Sequence, residues 1–228
     1  MSPSILFFSL VGGVLPALFW LWFWLREDRL HPEPRSLVLF SFLWGMLAVF
    51  VALPLEQWVW DATSNMTCVI IGWAIIEECL KLMASYYGAL RDRENDEPID
   101  SLTYLITTAL GFAALENTLF LFGVLKTGGI VDGLDLGVLR FVGATLLHVV
   151  SSGMLGFFLA LGFYQRGRMK KIDAGLGLIV AIVLHTLFNS FILKSEGNSL
   201  FTFTVFAFLW LAVILLLIAF EKVKQLRA

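Results

Sequence analysis

Charge is scarce in this chain. Only 15% of its 228 residues are Asp, Glu, Lys or Arg, against about 25% in an ordinary soluble domain, while 59% are hydrophobic and the mean hydropathy is +0.85. Too little polar surface is left to cover a water-soluble globule. A net charge of −2 gives no basic face for nucleic acid. Cysteine is scarce too: Cys68 and Cys79 are the only two, and on one helix they would stand about 16 Å apart. That exceeds the reach of a disulfide, so two reduced thiols are expected. The zinc motif H-E-x-x-H and the G-x-S-x-G nucleophile turn are both missing. Internal repeats and low-complexity tracts are absent, and the longest polar connections, 91–100 and 126–137, have the length of ordinary loops.

What the chain has instead is long apolar runs. Seven are close to the roughly 20 residues needed to cross a hydrocarbon layer of about 30 Å, at 4–25, 37–55, 66–90, 101–125, 138–163, 174–194 and 200–220. The expected fold class is all-α, a polytopic membrane helix bundle of about seven transmembrane helices forming one integral membrane domain over 1–228. The first run lacks a basic n-region and ends in WLWFWLRED rather than in small residues, so it is expected to be a retained span and not a signal peptide. Arg26, Arg29, Arg35, Arg91, Arg93, Arg166, Arg168, Lys170, Lys171, Lys222, Lys224 and Arg227 fall on one side of such a bundle, and only Lys126, Arg140 and Lys194 on the other. The positive-inside rule then places the N-terminus outside and the C-terminus in the cytoplasm of a multi-pass cell-membrane protein, and the parity agrees with seven crossings. Trp20, Trp22, Trp24, Trp58 and Trp60 near the span edges fit an aromatic belt.

Against this background a few polar residues stand out. The stretch GWAIIEECLKLMASYYG places Glu77, Glu78 and Lys81 in an apolar run, where each unpaired charge costs roughly 2.5 to 3.5 kcal/mol. Glu116 in GFAALENTLF, His148 in LLHVVSSG, and His185 with Asn189 in LHTLFNSF interrupt three other runs. Counted from the predicted outer ends at about 1.5 Å per residue, Glu77, Glu116, His148 and His185 reach one depth, roughly 14 to 17 Å below the outer surface. Each has a purely structural alternative: Glu77 or Glu78 with Lys81 as an intrahelical ion pair, either histidine or Asn117 as an interhelical hydrogen-bonder. A shared depth on four helices favours a site. His185 and Asn189, four apart, project from one face, whereas Glu77 and Glu78 lie about 100 degrees apart around their helix, so only one carboxylate meets the shared centre and the other supports it.

A carboxylate in a desolvated pocket can act as general base for water, and imidazoles and an amide can stabilise a developing oxyanion. Those are the requirements for hydrolysing a peptide bond without a covalent intermediate. Ser151 and Ser152 lie one turn from His148 but lack a nucleophile turn. Glu and two His residues could ligate a metal, yet their spacing supports none, so no cofactor is predicted. A proton- or ion-coupled transporter would also bury such groups, but would carry broken helices and pseudo-symmetric halves; a non-catalytic scaffold is the third alternative.

In order along the chain, E-E-x-x-K at Glu77, Glu78 and Lys81, F-A-x-x-E-N from Phe112 to Asn117, H-x-x-S-S-x-x-x-G from His148 and H-x-x-x-N at His185 and Asn189 resemble the PrsW family of intramembrane proteases, related to the type II CAAX prenyl proteases and the wider CPBP group. The segment REDRLHPEPRSL is similar to the D-x-x-x-x-E-P stretch that follows the first span in those proteins. The resemblance covers about residues 26–190. It implies a glutamate-type peptidase in which Glu77 activates water among His148, His185 and Asn189, with Glu78 and Lys81 in support and Glu116 and Asn117 at the site edge or in helix packing. The CAAX enzymes carry E-E-x-x-x-R, whereas Lys81 stands one position earlier. The implied partners are the lipid bilayer and a membrane-protein substrate, expected to be single-span, such as an anti-sigma factor cut as by a site-1 protease.

Overall fold

A computed structural model describes residues 3–26, 32–127, 140–194 and 198–226. Seven α-helices run through them: α1 (Pro3–Leu25), α2 (Arg35–Ala62), α3 (Met66–Ser85), α4 (Pro98–Thr127), α5 (Thr145–Leu161), α6 (Arg168–Lys194) and α7 (Ser199–Val223). Two single π-helical turns, Tyr86–Leu90 and Arg140–Ala144, extend α3 and precede α5. Among the described residues there is no strand. Local chemistry sets several helix starts. The Asn65 side chain accepts from the Thr67 and Cys68 amides ahead of α3, and Asn198 accepts from Phe201 ahead of α7. Pro98 occupies the first position of α4, where no amide is needed, and the Asp100 carboxylate accepts from the Asp96 and Glu97 amides.

Helix α4 is the axis of the molecule. Its residues from Pro98 to Leu115 are buried without interruption, and α1, α2 and α5 all pack on it. Helix α6 lies against α5 and α3, and α7 lies mainly against α5. Small residues permit the closest approaches: a Cβ on Gly45 would sit 2.0 Å from the Thr108 carbonyl oxygen, and one on Gly111 would sit 2.0 Å from that of Phe42. The α2–α4 crossing is therefore backbone against backbone, the packing that membrane helices use where hydrophobic burial cannot drive association. Large apolar side chains such as Phe7, Phe50, Ile179, Phe203 and Phe208 face outward, while Glu77, Glu78, Lys81, His148 and His185 are inside. Only a surrounding lipid phase reconciles that inversion with stability.

Six helices, α1, α2, α4, Arg140–Leu161, α6 and α7, are long and apolar enough to cross a membrane. Helix α3 is not among them, because Glu77, Glu78 and Lys81 lie within its 20 residues. Several expected bounds move outward: α2 continues past 55 to Ala62, α4 begins at Pro98 rather than 101, and α6 at Arg168 rather than 174. The hydrogen-bond ladder does not stop where hydropathy does. Residues 138 and 139 of the fifth run, His31, and Asp28 of the D-x-x-x-x-E-P stretch lie outside the described residues. The belt expectation is corrected for two tryptophans: Trp20 and Trp24 are buried, packed against Phe141 and Phe220 with ring centroids 5.7 and 5.4 Å away. Both cysteines are free.

Candidate active site

Glu77 and Glu78 sit midway along α3 and, one residue apart, face different neighbours. The Glu78 carboxylate is fully buried and saturated. Oε1 accepts from the Lys81 ammonium at 2.6 Å, from His185 Nδ1 at 2.7 Å and from the Ser151 hydroxyl at 2.9 Å, and Oε2 accepts from the Ser152 hydroxyl at 3.1 Å. Both serines weighed as nucleophiles are thus donors to Glu78. Glu77 is 4% exposed and its Oε2 has no hydrogen-bond partner. It faces a cavity of about 600 Å³ between α2, α3, α4, α5 and α6, whose walls include Glu56, Trp73, Phe112, Glu116, Arg140, His148, His185 and Asn189.

Around Glu77 Oε2 three groups converge: His148 Nδ1 at 3.8 Å, His185 Nε2 at 3.8 Å and Lys81 Nζ at 4.0 Å. The two imidazole rings meet edge to face with centroids 5.3 Å apart, and Phe112 lies under both the His148 ring, at 5.5 Å, and the Lys81 ammonium, at 5.2 Å.

Partners assign the tautomers. A carboxylate only accepts and an ammonium only donates. His148 Nδ1 lies 3.0 Å from Lys81 Nζ and therefore accepts, leaving Nε2–H to donate to Glu116 Oε2 at 3.2 Å. His185 donates through Nδ1–H to Glu78, so in the neutral ring the Nε2 lone pair faces Glu77. With the His148 lone pair engaged by Lys81, the His185 Nε2 lone pair is the acceptor that faces Glu77, which suits holding a water through one of its hydrogens.

The same geometry tests a metal. One ligand atom each from Glu77, His148 and His185 lies within 4.8 Å of the others. An unpartnered carboxylate oxygen and two imidazole lone pairs, each ring backed by a carboxylate on its other nitrogen, form a donor set of the kind metal sites use. These residues fit an ion, with Lys81 as competitor for His148 Nδ1.

Glu116 is more central than the site edge. It accepts from His148 and pairs with the Arg140 guanidinium, which also donates to Asn117 Oδ1. Asn117 donates to Thr145 Oγ1 at 2.9 Å, and Thr145 returns to the Arg140 carbonyl at 3.0 Å. Asn189, one turn beyond His185, lines the cavity but among the described residues bonds neither histidine. Sequence reasoning missed Arg140, counted only as an outer-side charge near the start of the fifth span, and Glu56, one residue past the end assigned to the second span. Nothing local in the sequence marks Arg140 as the partner of Glu116, 24 residues earlier.

Fold and site together define a class: a multi-pass integral protein of the cell membrane that carries a carboxylate–histidine centre inside its helix bundle. Comparison with known proteins then gives the family. Residues 33–218 match the family described as "PrsW family intramembrane metalloprotease", and the chain belongs to the PrsW family. It is similar to proteins named Protease PrsW from Geobacillus kaustophilus (27% identity, covering 96% of this chain and 92% of that protein), Oceanobacillus iheyensis (28%, 95% and 94%) and Bacillus subtilis (25%, 90% and 92%). No solved structure matches it.

Proposed function

We propose that this chain is an intramembrane endopeptidase that hydrolyses a peptide bond in or near the transmembrane segment of another membrane protein, single-span proteins such as an anti-sigma factor being the expected class. The likeness of its motif order to the type II CAAX prenyl proteases belongs to the same reading. The carrying observation is Glu77 Oε2, buried, without a hydrogen-bond partner and facing the cavity between two imidazoles. A water placed there donates one hydrogen to Glu77 and another to an imidazole lone pair, leaving its oxygen lone pair for the scissile carbonyl carbon. Glu77 takes the proton as the C–O bond forms and returns it to the amide nitrogen as the C–N bond breaks. The Asn189 amide on the cavity wall is the donor for the oxyanion. Glu78, neutralised by Lys81, holds His185 in register. Glu77, His148 and His185 would also hold a metal ion, which when bound supplies Lewis-acid polarisation of the carbonyl and a more acidic water.

In the membrane we place seven crossings, α3 included, with the N-terminus outside and the C-terminus cytoplasmic. Helix α3 needs no lipid-facing charge for this, since its three charged residues, Glu77, Glu78 and Lys81, are all buried against other helices.

The test is N-terminal peptide profiling of membranes from cells expressing wild type, Glu77→Gln or His185→Ala at matched levels. New termini near the outer ends of single-span proteins, seen with wild type alone, are expected and would name substrates. Identical profiles with all three proteins folded would sink the peptidase and leave a scaffold or transporter. Elemental analysis of the active protein separates the two modes of water activation: one bound ion, lost in Glu77→Gln as well as in His185→Ala, assigns Glu77 as a ligand, and an active protein without one assigns it as the base.

A further inference from the structure

Two carboxylates beside Glu77, the buried Glu78 and the partly buried Glu116, have the same arrangement. In each, a cation neutralises a carboxylate that in turn receives an imidazole N–H. Lys81 pairs with Glu78, which holds His185 Nδ1 at 2.7 Å. Arg140 pairs with Glu116, which holds His148 Nε2 at 3.2 Å. Both chains leave a ring nitrogen 3.8 Å from Glu77 Oε2.

We propose that Arg140 is a positioning residue for the site, setting the tautomer and orientation of His148 through Glu116. The inference builds on the peptidase reading but concerns His148 itself. Arg140 is built for it. Its guanidinium engages Glu116 and Asn117 together and lies over the Phe120 ring at 4.0 Å. Its own carbonyl is fixed by Thr145, which Asn117 holds from α4. That closes a ring of contacts joining α4 to the start of α5. The π-helical turn Arg140–Ala144, which begins with Arg140 and leads into the helix that carries His148, lies inside the ring; such turns are frequent at functional sites. Without the guanidinium, Glu116 would have no cation bonded to it and would be free to turn away from His148 Nε2. With that acceptor displaced, nothing holds the His148 N–H at Nε2 and the fixed tautomer is lost. Outer partners of this kind commonly change activity 10- to 100-fold.

The chain has three histidines, so nitrogen-15 NMR of the full-length protein, labelled at histidine, purified in detergent micelles and treated with chelator, resolves three imidazoles, assigned by removing each in turn. Wild type should show His148 protonated at Nε2 and bare at Nδ1. Arg140→Gln should give mixed or inverted His148 tautomers with His185 unchanged, and Arg140→Lys should restore the wild-type pattern. Should Arg140→Gln misfold, Glu116→Gln tests the same link and should also release the tautomer. An unchanged His148 pattern in whichever of the two folds would overturn the proposal. Since no substrate is involved, failure here leaves the peptidase reading standing, and identical terminal profiles leave this result standing. With a substrate from the profiling, kcat should fall 10- to 100-fold in Arg140→Gln with KM little changed; a rise in KM alone would instead make Arg140 a substrate contact.

Discussion

At the scale of single residues, the adjacent glutamates are chemically identical and energetically opposite. Glu78 accepts four hydrogen bonds, all from side chains that are themselves buried. Glu77 Oε2 accepts none. Glu78→Leu should therefore destabilise the protein by about 3 to 5 kcal/mol, because it removes the close partner of the buried Lys81 ammonium and leaves only Glu77 at 4.0 Å, while Glu77→Gln should leave thermal unfolding in detergent nearly unchanged and remove activity. Equal losses of stability in the two variants would contradict this division of labour. Ser152→Ala removes one bond to a charged acceptor and should cost about 1.5 to 3 kcal/mol by the same assay. The pairs Glu77, Lys81 and Glu78, Lys81 were legible from helical spacing, but which glutamate would be saturated was not. Spacing says how far apart two side chains point around a helix, and says nothing of which neighbouring helix each one meets.

At the scale of helices, the site depends on how closely α2 and α4 approach. Gly45 and Gly111 hold each helix against the other's backbone carbonyls, one residue before Phe112 and a little over one turn before Glu116. Gly111→Ala should push α2 and α4 apart, lower the unfolding temperature and reduce activity by displacing Phe112 from beneath His148. Gly123→Ala on the same helix meets nothing within 4 Å and should be neutral or slightly stabilising through helix propensity. Similar behaviour of the two variants would remove the close crossing as the cause. Helix existence was legible for each of the seven described α-helices from apolar run length, though neither π turn was. Helix ends were less so: hydropathy registers the lipid boundary, whereas α2, α4 and α6 continue through polar residues that still complete their backbone ladders.

At the scale of the molecule, polar groups from α3, α4, α5 and α6 and from the π turn before α5 meet at one cavity inside an apolar exterior. The proposed orientation puts the α2–α3 connection outside and the α3–α4 connection in the cytoplasm. In a protein with Cys68 and Cys79 replaced, Ser64→Cys should be labelled by a membrane-impermeant thiol reagent in intact cells, and Glu94→Cys only after the membrane is opened. The reverse pattern would invert the topology, and labelling of both from outside would remove α3 as a crossing. By itself the sequence determined that the chain is helical, membrane-embedded and furnished with a small set of costly polar residues, because hydrophobic run length and the expense of burying charge are properties of composition along one dimension. Only the tertiary structure decided that Glu78 is saturated and Glu77 open, that Glu116 backs His148 and that Arg140 belongs to the site. Those outcomes depend on helix rotation and on contacts between residues as far apart as Glu78 and His185, and no local spacing encodes which way one helix turns toward another.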